Sequence, residues 1–141
     1  MVEIRELGPG DVEVVMAAPH LFDEPPRREW AAGFLQRDGN HLLLAYVGDE
    51  PAGFVSGVEV LHPDKGVEMM LYELGVDEAF RRRGVGRELV RALVEVARRL
   101  GCRTVWVLTE PDNAPAQATY RAAGFTGVET STLLEHPLAA P

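Results

Sequence analysis

The feature that most constrains this chain is a loop of arginines and glycines between a predicted strand and a predicted helix. Residues 69–76 are largely apolar and predict a buried strand, with Tyr72 and Glu73 in its middle. Residues 81–87, Arg-Arg-Arg-Gly-Val-Gly-Arg, follow, and a helix begins within them. A glycine loop that opens a helix exposes backbone N–H groups and the positive end of the helix dipole to an anion. The segment therefore predicts a site for a phosphate or pyrophosphate.

The spacing within this loop excludes two common phosphate-binding motifs. The dinucleotide fingerprint needs a third glycine where this chain has Leu89, and the Walker loop needs a Gly-Lys-Ser/Thr ending that is absent. The pattern that remains is Arg81-x-x-Gly84-x-Gly86. Arginines and glycines before a helix also form solvated turns that bind nothing, so this pattern alone leaves both interpretations open.

The length and composition predict one domain, residues 1–141, around one core. The chain is 46% hydrophobic and 26% charged, which is ordinary for a soluble globular protein. It has no apolar run of membrane-spanning length, and residues 1–11 lack a signal core, so we expect a cytoplasmic protein. A single cysteine, Cys102, excludes an internal disulfide and a cysteine metal cluster, and we expect no metal site.

The charges are unevenly distributed along the chain. Acidic residues outnumber lysine and arginine by 22 to 14, for a net charge of −8, which disfavours nucleic acid as a partner. Eight of the arginines fall between Arg81 and Arg103, while acids dominate elsewhere. A basic patch on an acidic protein suits one anionic ligand and one cationic ligand at separate places.

Hydrophobic periodicity and turn residues predict ten elements in a mixed α/β order. The predicted strands are residues 2–7, 41–47, 52–61, 67–76, 104–108 and 128–134, and the predicted helices are residues 12–18, 26–35, 84–100 and 112–123. The middle strands form antiparallel hairpins. The helix at 84–100 makes a right-handed crossover to a buried parallel strand at 104–108. The tail, residues 135–141, is predicted to be loose.

A second motif follows the crossover: Asn113, Ala116, Tyr120 and then Gly124-Phe125. Singly, these residues are ordinary, because Gly-Phe can end any helix and a tyrosine can be a core aromatic. Together with the arginine loop, they resemble the GNAT superfamily of N-acetyltransferases. In that superfamily the loop has Gln or Arg at its first position, and the second segment has Asn, Ala, Tyr and Gly-Phe at these spacings.

The resemblance implies a fold, a cofactor and roles for individual residues. The fold would be a GNAT fold, a mostly antiparallel twisted sheet of six to seven strands with about four helices, splayed at an acetyl-CoA site. The implied cofactor contacts are Leu74, Gly75, Val76, Arg81, Arg82, Arg83, Gly84, Val85, Gly86, Arg87, Asn113, Ala116 and Tyr120. Among these, the N–H of Val76 would polarise the acetyl carbonyl, and Tyr120 would be the general acid. Either Arg87 or Arg91 would reach the 3′-phosphate of CoA.

Carboxylates are the candidates for binding and deprotonating the acceptor. Glu73 interrupts an apolar strand, so its side chain must face a cleft or be paired, and it is the candidate base. An ion pair with an arginine at the sheet edge is the alternative. Asp23 and Glu24 lie in a predicted connection, and Glu110 and Asp112 follow the C-terminal end of a predicted strand; all four would bind a cationic substrate. Helix capping for Asp23, Glu24 and Asp112, and plain solvation for Glu110, are the alternatives.

Within the superfamily the chain most resembles the type I aminoglycoside 3-N-acetyltransferases. Residues 72–76 are Tyr-Glu-Leu-Gly-Val where that group has Tyr-Asp-Leu-Ala-Val, and Glu110 and Pro115-Ala116 also match. This implies acetyl transfer to a primary amine of an aminoglycoside, by direct attack in a ternary complex, as in antibiotic resistance. A protein or peptide amine, a polyamine, an amino acid, or a non-catalytic CoA-binding role are the alternatives. We also expect a homodimer, with residues 128–134 as a candidate surface.

Overall fold

The computed structural model describes residues 1–139 and places helices on both faces of one sheet. The strands are β1 Val2–Glu6, β2 Asn40–Val47, β3 Glu50–His62, β4 Gly66–Val76 and β5 Val105–Val107. The helices are α1 Val12–Met16, α2 Arg28–Gln36, α3 Val85–Arg99 and α4 Ala114–Ala122. The last two residues of the predicted loose tail lie outside the described residues. Within residues 1–139, no helix combines the length and apolar character needed to cross a membrane.

The strands lie in the sheet in chain order, β1-β2-β3-β4-β5. The first three pairings are antiparallel, as short hairpin connections require, and β4 pairs with β5 in parallel through the α3 crossover. The predicted mixed fold, mostly antiparallel with four helices, is therefore confirmed.

The core has two layers, one on each face of the sheet. On one face the apolar stripe of α3, including Leu89 and Leu93, packs on Met69 and Val55. On the other face, α1 and α2 enclose a smaller cluster around Phe54. Residues three and four positions apart lie on the same side of a helix. The apolar residues of α3 recur at that spacing, so they form one stripe that packs on the sheet.

The predicted number of strands is wrong, because the described sheet has five strands rather than six to seven. The predicted strand at residues 128–134 is absent: residues 125–139 have no regular structure, and Val128, Leu133 and Leu134 are exposed. Alternating β-branched residues favour a strand only where a neighbouring ladder receives them. The edge strand β5 contributes only three residues to the sheet and is half-buried rather than buried, so it offers almost no ladder.

The close packing between β4 and β3 leads to a stability prediction at Gly75. A Cβ atom at this position would lie 2.7 Å from Cε1 of Phe54 and 3.3 Å from the carbonyl oxygen of Leu21. Gly75→Ala should therefore lower the free energy of unfolding by about 1–3 kcal/mol, as overpacking of a core does. Chemical denaturation followed by circular dichroism measures this change.

Gly33→Ala is the matched control for that substitution. Gly33 lies within α2, and no atom lies within 4 Å of the position that its Cβ would occupy. Alanine there should raise the free energy of unfolding by about 0.5–1 kcal/mol, because glycine is unfavourable inside a helix. Equal effects of the two substitutions would contradict the contact at Gly75.

Candidate active site

The sheet splits open beside the second half of β4. The parallel pairing between β4 and β5 joins residues 69–71 to residues 105–107 and stops there. On its other side β4 stays paired with β3 as far as Val76. Residues 72–76 therefore have a free edge where the two strands diverge, and such an edge offers unpaired backbone donors and acceptors. This is the predicted splay of the sheet.

The backbone groups that face this gap belong to Leu74 and Val76. The N–H of Glu73 donates to Oγ of Ser56 at 3.1 Å, and the N–H of Asp77 donates to the carbonyl of Ala52 at 2.8 Å. Both of those groups point to β3, so the alternating residues between them point to the gap. The gap thus has the two N–H donors needed to pair with an extended ligand. The backbone N–H of Gly75 points to β3 and not to the gap. Because Gly75 has no side chain, Phe54 can pack against it.

A β-bulge in β4 decides which side of the sheet Glu73 occupies. The register of β4 against β3 shifts between Ser56 and Gly57 and leaves Tyr72 without a partner. Met69 and Leu71 pack under α3 before the bulge, and Leu74 and Val76 pack there after it. Glu73 therefore lies on the opposite face, towards α1 and α2. The glycines at positions 53 and 57 predict a bulge or a close backbone approach in β3, but no irregularity was predicted in β4, although its apolar phase changes from odd to even numbers across Tyr72.

The surroundings of Glu73 favour its protonated form. Partial desolvation raises the pKa of the Glu73 carboxyl, and the neighbouring Asp23 carboxylate raises it further. Within residues 1–139, no arginine lies at ion-pair distance from Glu73, so the alternative of an arginine pair is wrong. A carboxylate with a raised pKa at the edge of a gap is suited to accept a proton near neutral pH.

The arginine loop exposes a row of backbone donors at the start of α3. Arg82 and Gly84 adopt left-handed conformations, with φ of 64° and 78°. In the described part of the chain the backbone N–H groups of residues 82–87 have no protein acceptor, whereas the N–H of Glu88 donates to the carbonyl of Gly84. Alternating hands of this kind curve a backbone so that its N–H groups converge on an anion, which the helix dipole also attracts. This geometry suits an anion, and the pyrophosphate contact stays a prediction.

The arginine side chains around the loop differ in their contacts. Nε of Arg81 donates to the Val76 carbonyl at 3.4 Å, and the guanidinium of Arg83 lies 5.4 Å from the Phe80 ring centre. Arg91 donates to the carbonyl of Ala122 at 3.3 Å and so ties α3 to the end of α4. Of the two candidates for a phosphate contact, Arg87 lies nearer to the loop in sequence, and Arg91 is engaged with α4.

Tyr120 occupies the buried side of α4. The residue is 9% exposed, and its ring lies 5.6 Å from that of Phe125. Burial raises the pKa of the Tyr120 hydroxyl, so it keeps its proton at neutral pH. The structure gives this hydroxyl no hydrogen-bond partner, and the described residues contain no fully buried polar side-chain atom without one. The hydroxyl is thus accessible and can donate.

α4 lies close to the arginine loop. A Cβ atom at Gly86 would be 3.4 Å from Cγ2 of Thr119 and 3.6 Å from Cγ2 of Val76. This contact brings α4, the start of α3 and the end of β4 together. The side chain of Asn113 caps α4 by accepting from the N–H of Ala116 at 3.2 Å. Asn113 and Ala116 are both among the implied cofactor contacts, and here they bind each other.

Of the other predicted substrate-binding carboxylates in the described part of the chain, only Asp23 lies near enough to raise the pKa of Glu73. Glu24 lines a depression of about 340 Å³ together with Trp30 and residues 25–27. Glu110 and Asp112 are exposed on the loop after β5, without a contact to Glu73 in the described part of the chain. The capping alternatives are wrong: Arg27 precedes α2 without a side-chain cap, and Asn113 caps α4 in place of Asp112.

The chain was compared with known families and proteins. The Acetyltransferase (GNAT) family matches residues 12–125. Mycothiol acetyltransferase of Corynebacterium glutamicum (strain R) is 40% identical over 116 residues, which are 82% of this chain and 36% of that protein. N-alpha-acetyltransferase RimI of Mycobacterium tuberculosis is 35% identical over 89 residues, 63% of this chain and 54% of that protein. The chain thus spans only part of the length of the curated relatives it matches.

Solved structures agree with this family at the level of the fold. An aminoglycoside acetyltransferase from an uncultured soil metagenomic sample, in complex with sisomicin, matches with a TM-score of 0.89 over 98% of this chain and 97% of that chain. An aminoglycoside N-acetyltransferase in complex with CoA has a TM-score of 0.76 over 96% of this chain and 95% of that chain. Their identities, 18% and 23%, support the fold alone. Together, the family match and the geometry show that this chain belongs to the acetyltransferase (GNAT) family.

Proposed function

We propose that this chain is one acetyl-CoA-dependent N-acetyltransferase domain that acetylates a primary amine of a cationic small molecule. An aminoglycoside is the first candidate acceptor, and the amine attacks directly in a ternary complex. The observation that carries the proposal is the Glu73–Asp23 carboxylate pair on the face of β4 beside the open edge. Acids near a gap attract a polycation, and one of them has the raised pKa that a base needs.

The backbone of the gap and loop fits the acyl donor of this family, acetyl-CoA. Bound acetyl-CoA would supply the acetyl thioester. The N–H groups of residues 82–87 would hold its pyrophosphate, and Arg87 would contact the 3′-phosphate. Leu74 and Val76, whose N–H groups face the gap, would pair with the pantetheine arm as a neighbouring strand does. Neither set of donors has an acceptor within residues 1–139, so both are free to bind a ligand.

Three groups of this chain would move or stabilise charge during transfer. Glu73 accepts a proton from the acceptor ammonium, which frees the nitrogen lone pair to attack the acetyl carbon. The N–H of Val76 donates to the carbonyl oxygen as negative charge develops on it. The C–S bond then breaks, and Tyr120 donates its hydroxyl proton to the sulfur. As the amide forms, the nitrogen loses its second proton to solvent. The proton taken by Glu73 is also returned to solvent and Tyr120 is reprotonated from it, so the products are the amide, the CoA thiol and one proton.

A peptide or protein amine is the second candidate acceptor. The 35% identity to N-alpha-acetyltransferase RimI supports this candidate, whereas the aminoglycoside acetyltransferases support the first through fold. The acidic pair would serve either amine. The two candidates differ in how many positive charges the acceptor carries, since a polycation gains from both Asp23 and Glu73.

The test is acetyl-CoA-dependent thiol release by the purified protein over a panel of amines. The panel contains aminoglycosides of the gentamicin and kanamycin types, spermidine, free amino acids and short peptides with free N-termini. Turnover on aminoglycosides that falls as salt rises supports the first candidate, because salt screens the attraction of a polycation. Turnover on peptides alone transfers the proposal to the second. No turnover on any amine, with acetyl-CoA bound, contradicts both.

Removal of the Tyr120 hydroxyl gives a separate prediction for the acid step. Tyr120→Phe keeps the buried ring and should lower kcat by about 100-fold, within the range of general acid–base contributions. Acetyl-CoA affinity and thermal stability should be unchanged. Tyr46→Phe removes a hydroxyl from β2 and is the control, with unchanged kcat. A Tyr120→Phe enzyme as fast as wild type would remove Tyr120 from the mechanism.

We further propose that the protein is a homodimer. The exposed Val128, Leu133 and Leu134 lie on the C-terminal segment, and β5 is an edge strand of the described sheet that pairs with β4 on one side only. Exposed apolar residues next to a free sheet edge favour association. Light scattering after gel filtration should give the mass of two chains, and a monomer at all concentrations contradicts this.

A further inference from the structure

We infer that Ser56 is a positioning residue, whose hydroxyl holds the β4 bulge that turns Glu73 onto the acceptor face of the sheet. The inference deepens the proposed function and rests on it where it concerns catalysis. Its structural part, the link between Ser56 and the placement of Glu73, stands on the contacts alone.

Ser56 is unusual because it is a polar residue inside an apolar core. It is 4% exposed, and among the described residues it is the only buried polar or charged residue. Its neighbours across the sheet are Leu42 in β2 and Glu73 in β4. Buried hydroxyls need a partner, and the Oγ of Ser56 accepts the backbone N–H of Glu73 at 3.1 Å.

This hydrogen bond lies at the bulge itself. The register passes from Ser56 opposite Glu73 to Gly57 opposite Leu71, so Tyr72 is the extra residue. A bulge interrupts the ladder and leaves backbone groups without their regular partners. The Ser56 hydroxyl supplies an acceptor for the Glu73 N–H at this interruption, and so favours the bulged register.

The bulge has a large effect on the site because side chains alternate along a strand. Met69 and Leu71 face α3, and without the extra residue Glu73 would be the next side chain under α3. Leu74 and Val76, which pack there instead, would turn outward. A one-residue slip reverses every side chain after it. Ser56 therefore acts on the acceptor site without touching the acceptor.

An alanine at position 56 cannot accept the Glu73 N–H, and this gives the test. The position of Glu73 is followed by the NMR titration of its side-chain carboxyl carbon in the full chain, which does not depend on activity. In wild type the titration midpoint is raised by desolvation and by Asp23, the charged group that faces Glu73 from the connection before α2. In Ser56→Ala the midpoint should rise further, because loss of the bulge turns the Glu73 carboxyl towards the apolar face under α3. Exchange of the Glu73 amide should be about 10-fold faster or more, as for an amide that has lost its hydrogen bond.

Kinetics then test the catalytic part with a matched set of variants. Ser56→Ala should lower kcat/KM for the amine by about 10-fold or more, as misplacement of a catalytic group does. The acid limb of the profile of kcat/KM against pH should also move to higher pH, in the same direction as the Glu73 midpoint. Ser56→Thr keeps the hydroxyl and should restore both. Leu43→Val removes buried volume from β2 and should lower stability while leaving the acid limb and the Glu73 midpoint unchanged.

Distinct results separate the possible failures. A Glu73 midpoint and amide exchange rate in Ser56→Ala equal to those of wild type would overturn the inference. Equal shifts in Leu43→Val would also overturn it, because the effect would then be one of stability. Shifted NMR values with a Glu73→Gln enzyme that stays active would leave Ser56 as the bulge-holding residue and contradict the proposed base. If Ser56→Ala does not fold, Ser56→Cys, with a weak acceptor of similar size, replaces it in every comparison.

Discussion

Replacement of Glu73 by glutamine is expected to lower kcat for amine acetylation by about 100-fold or more, the usual range for a lost general base. Glutamine keeps the shape of the side chain but cannot accept the ammonium proton. In the proposed complex the N–H groups that bind the donor belong to Leu74, Val76 and residues 82–87 and not to Glu73, so acetyl-CoA affinity should be unchanged. Stopped-time assays for kcat and calorimetry for the donor affinity measure the two quantities.

The activity of the wild-type enzyme should also depend on pH, in a direction set by the protonation of Glu73. The pKa of Glu73 is raised by desolvation and by Asp23, so kcat/KM should rise with pH as Glu73 loses its proton. Asp23→Asn removes one cause and should move this acid limb to lower pH. The free energy of unfolding should fall as pH rises from the ordinary glutamate pKa through the raised one, because the folded state holds the proton longer. Glu73→Gln should lack that fall. A Glu73→Gln enzyme with wild-type kcat would exclude Glu73 as the base.

The substitution Gly84→Val is expected to weaken CoA binding by about 10-fold or more, through a backbone cost of roughly 1–2 kcal/mol for a left-handed residue with a side chain. Gly84 has φ of 78° and lies within the row of free N–H donors. A β-branched residue is strained in that conformation, so the loop would relax and its donors would diverge.

Gly101→Val is the matched control, at the other end of the same helix. Gly101 has φ of 77°, and no atom lies within 4 Å of the position of its Cβ. The two substitutions carry the same backbone cost, and only the first lies in the loop. Calorimetric titration with CoA should therefore show a loss for Gly84→Val and no change for Gly101→Val. Equal losses would mean that helix stability, and not loop geometry, controls binding.

The parts of the site that were predictable are those in which local sequence decides local structure. The apolar stripe of α3 and its two flanking glycines predict the helix within one residue at each end. Loop and helix are contiguous, so the row of N–H donors at residues 82–87 follows from the same segment. The contact between Tyr120 and Phe125 is also local, at the end of one helix, but the cap of that helix was placed one residue early, at Asp112 rather than Asn113.

The parts that were missed depend on contacts between distant segments. The bulge at Tyr72 exists because Ser56, in another strand, meets Glu73, and a pattern of residues in β4 alone shows only a change of phase. The proximity of Asp23 to Glu73 requires the connection before α2 to fold over β4. The strand predicted at residues 128–134 is absent because a strand also needs a distant partner, and β5 offers a ladder of only three residues.

Transfer of the acetyl group from acetyl-CoA to an amine, with Glu73 as the base, can be followed with labelled acetyl-CoA. Acetyl-CoA carrying ¹³C in the acetyl group is incubated with the protein and an aminoglycoside, and the acceptor is examined by mass spectrometry and NMR. We expect labelled acetyl on an amine nitrogen, free CoA in equal amount, and formation of both products about 100-fold slower or more with Glu73→Gln. Acetyl-CoA that binds but yields only free acetate, or labelled acceptor formed at the same rate with Glu73→Gln, would contradict this mechanism.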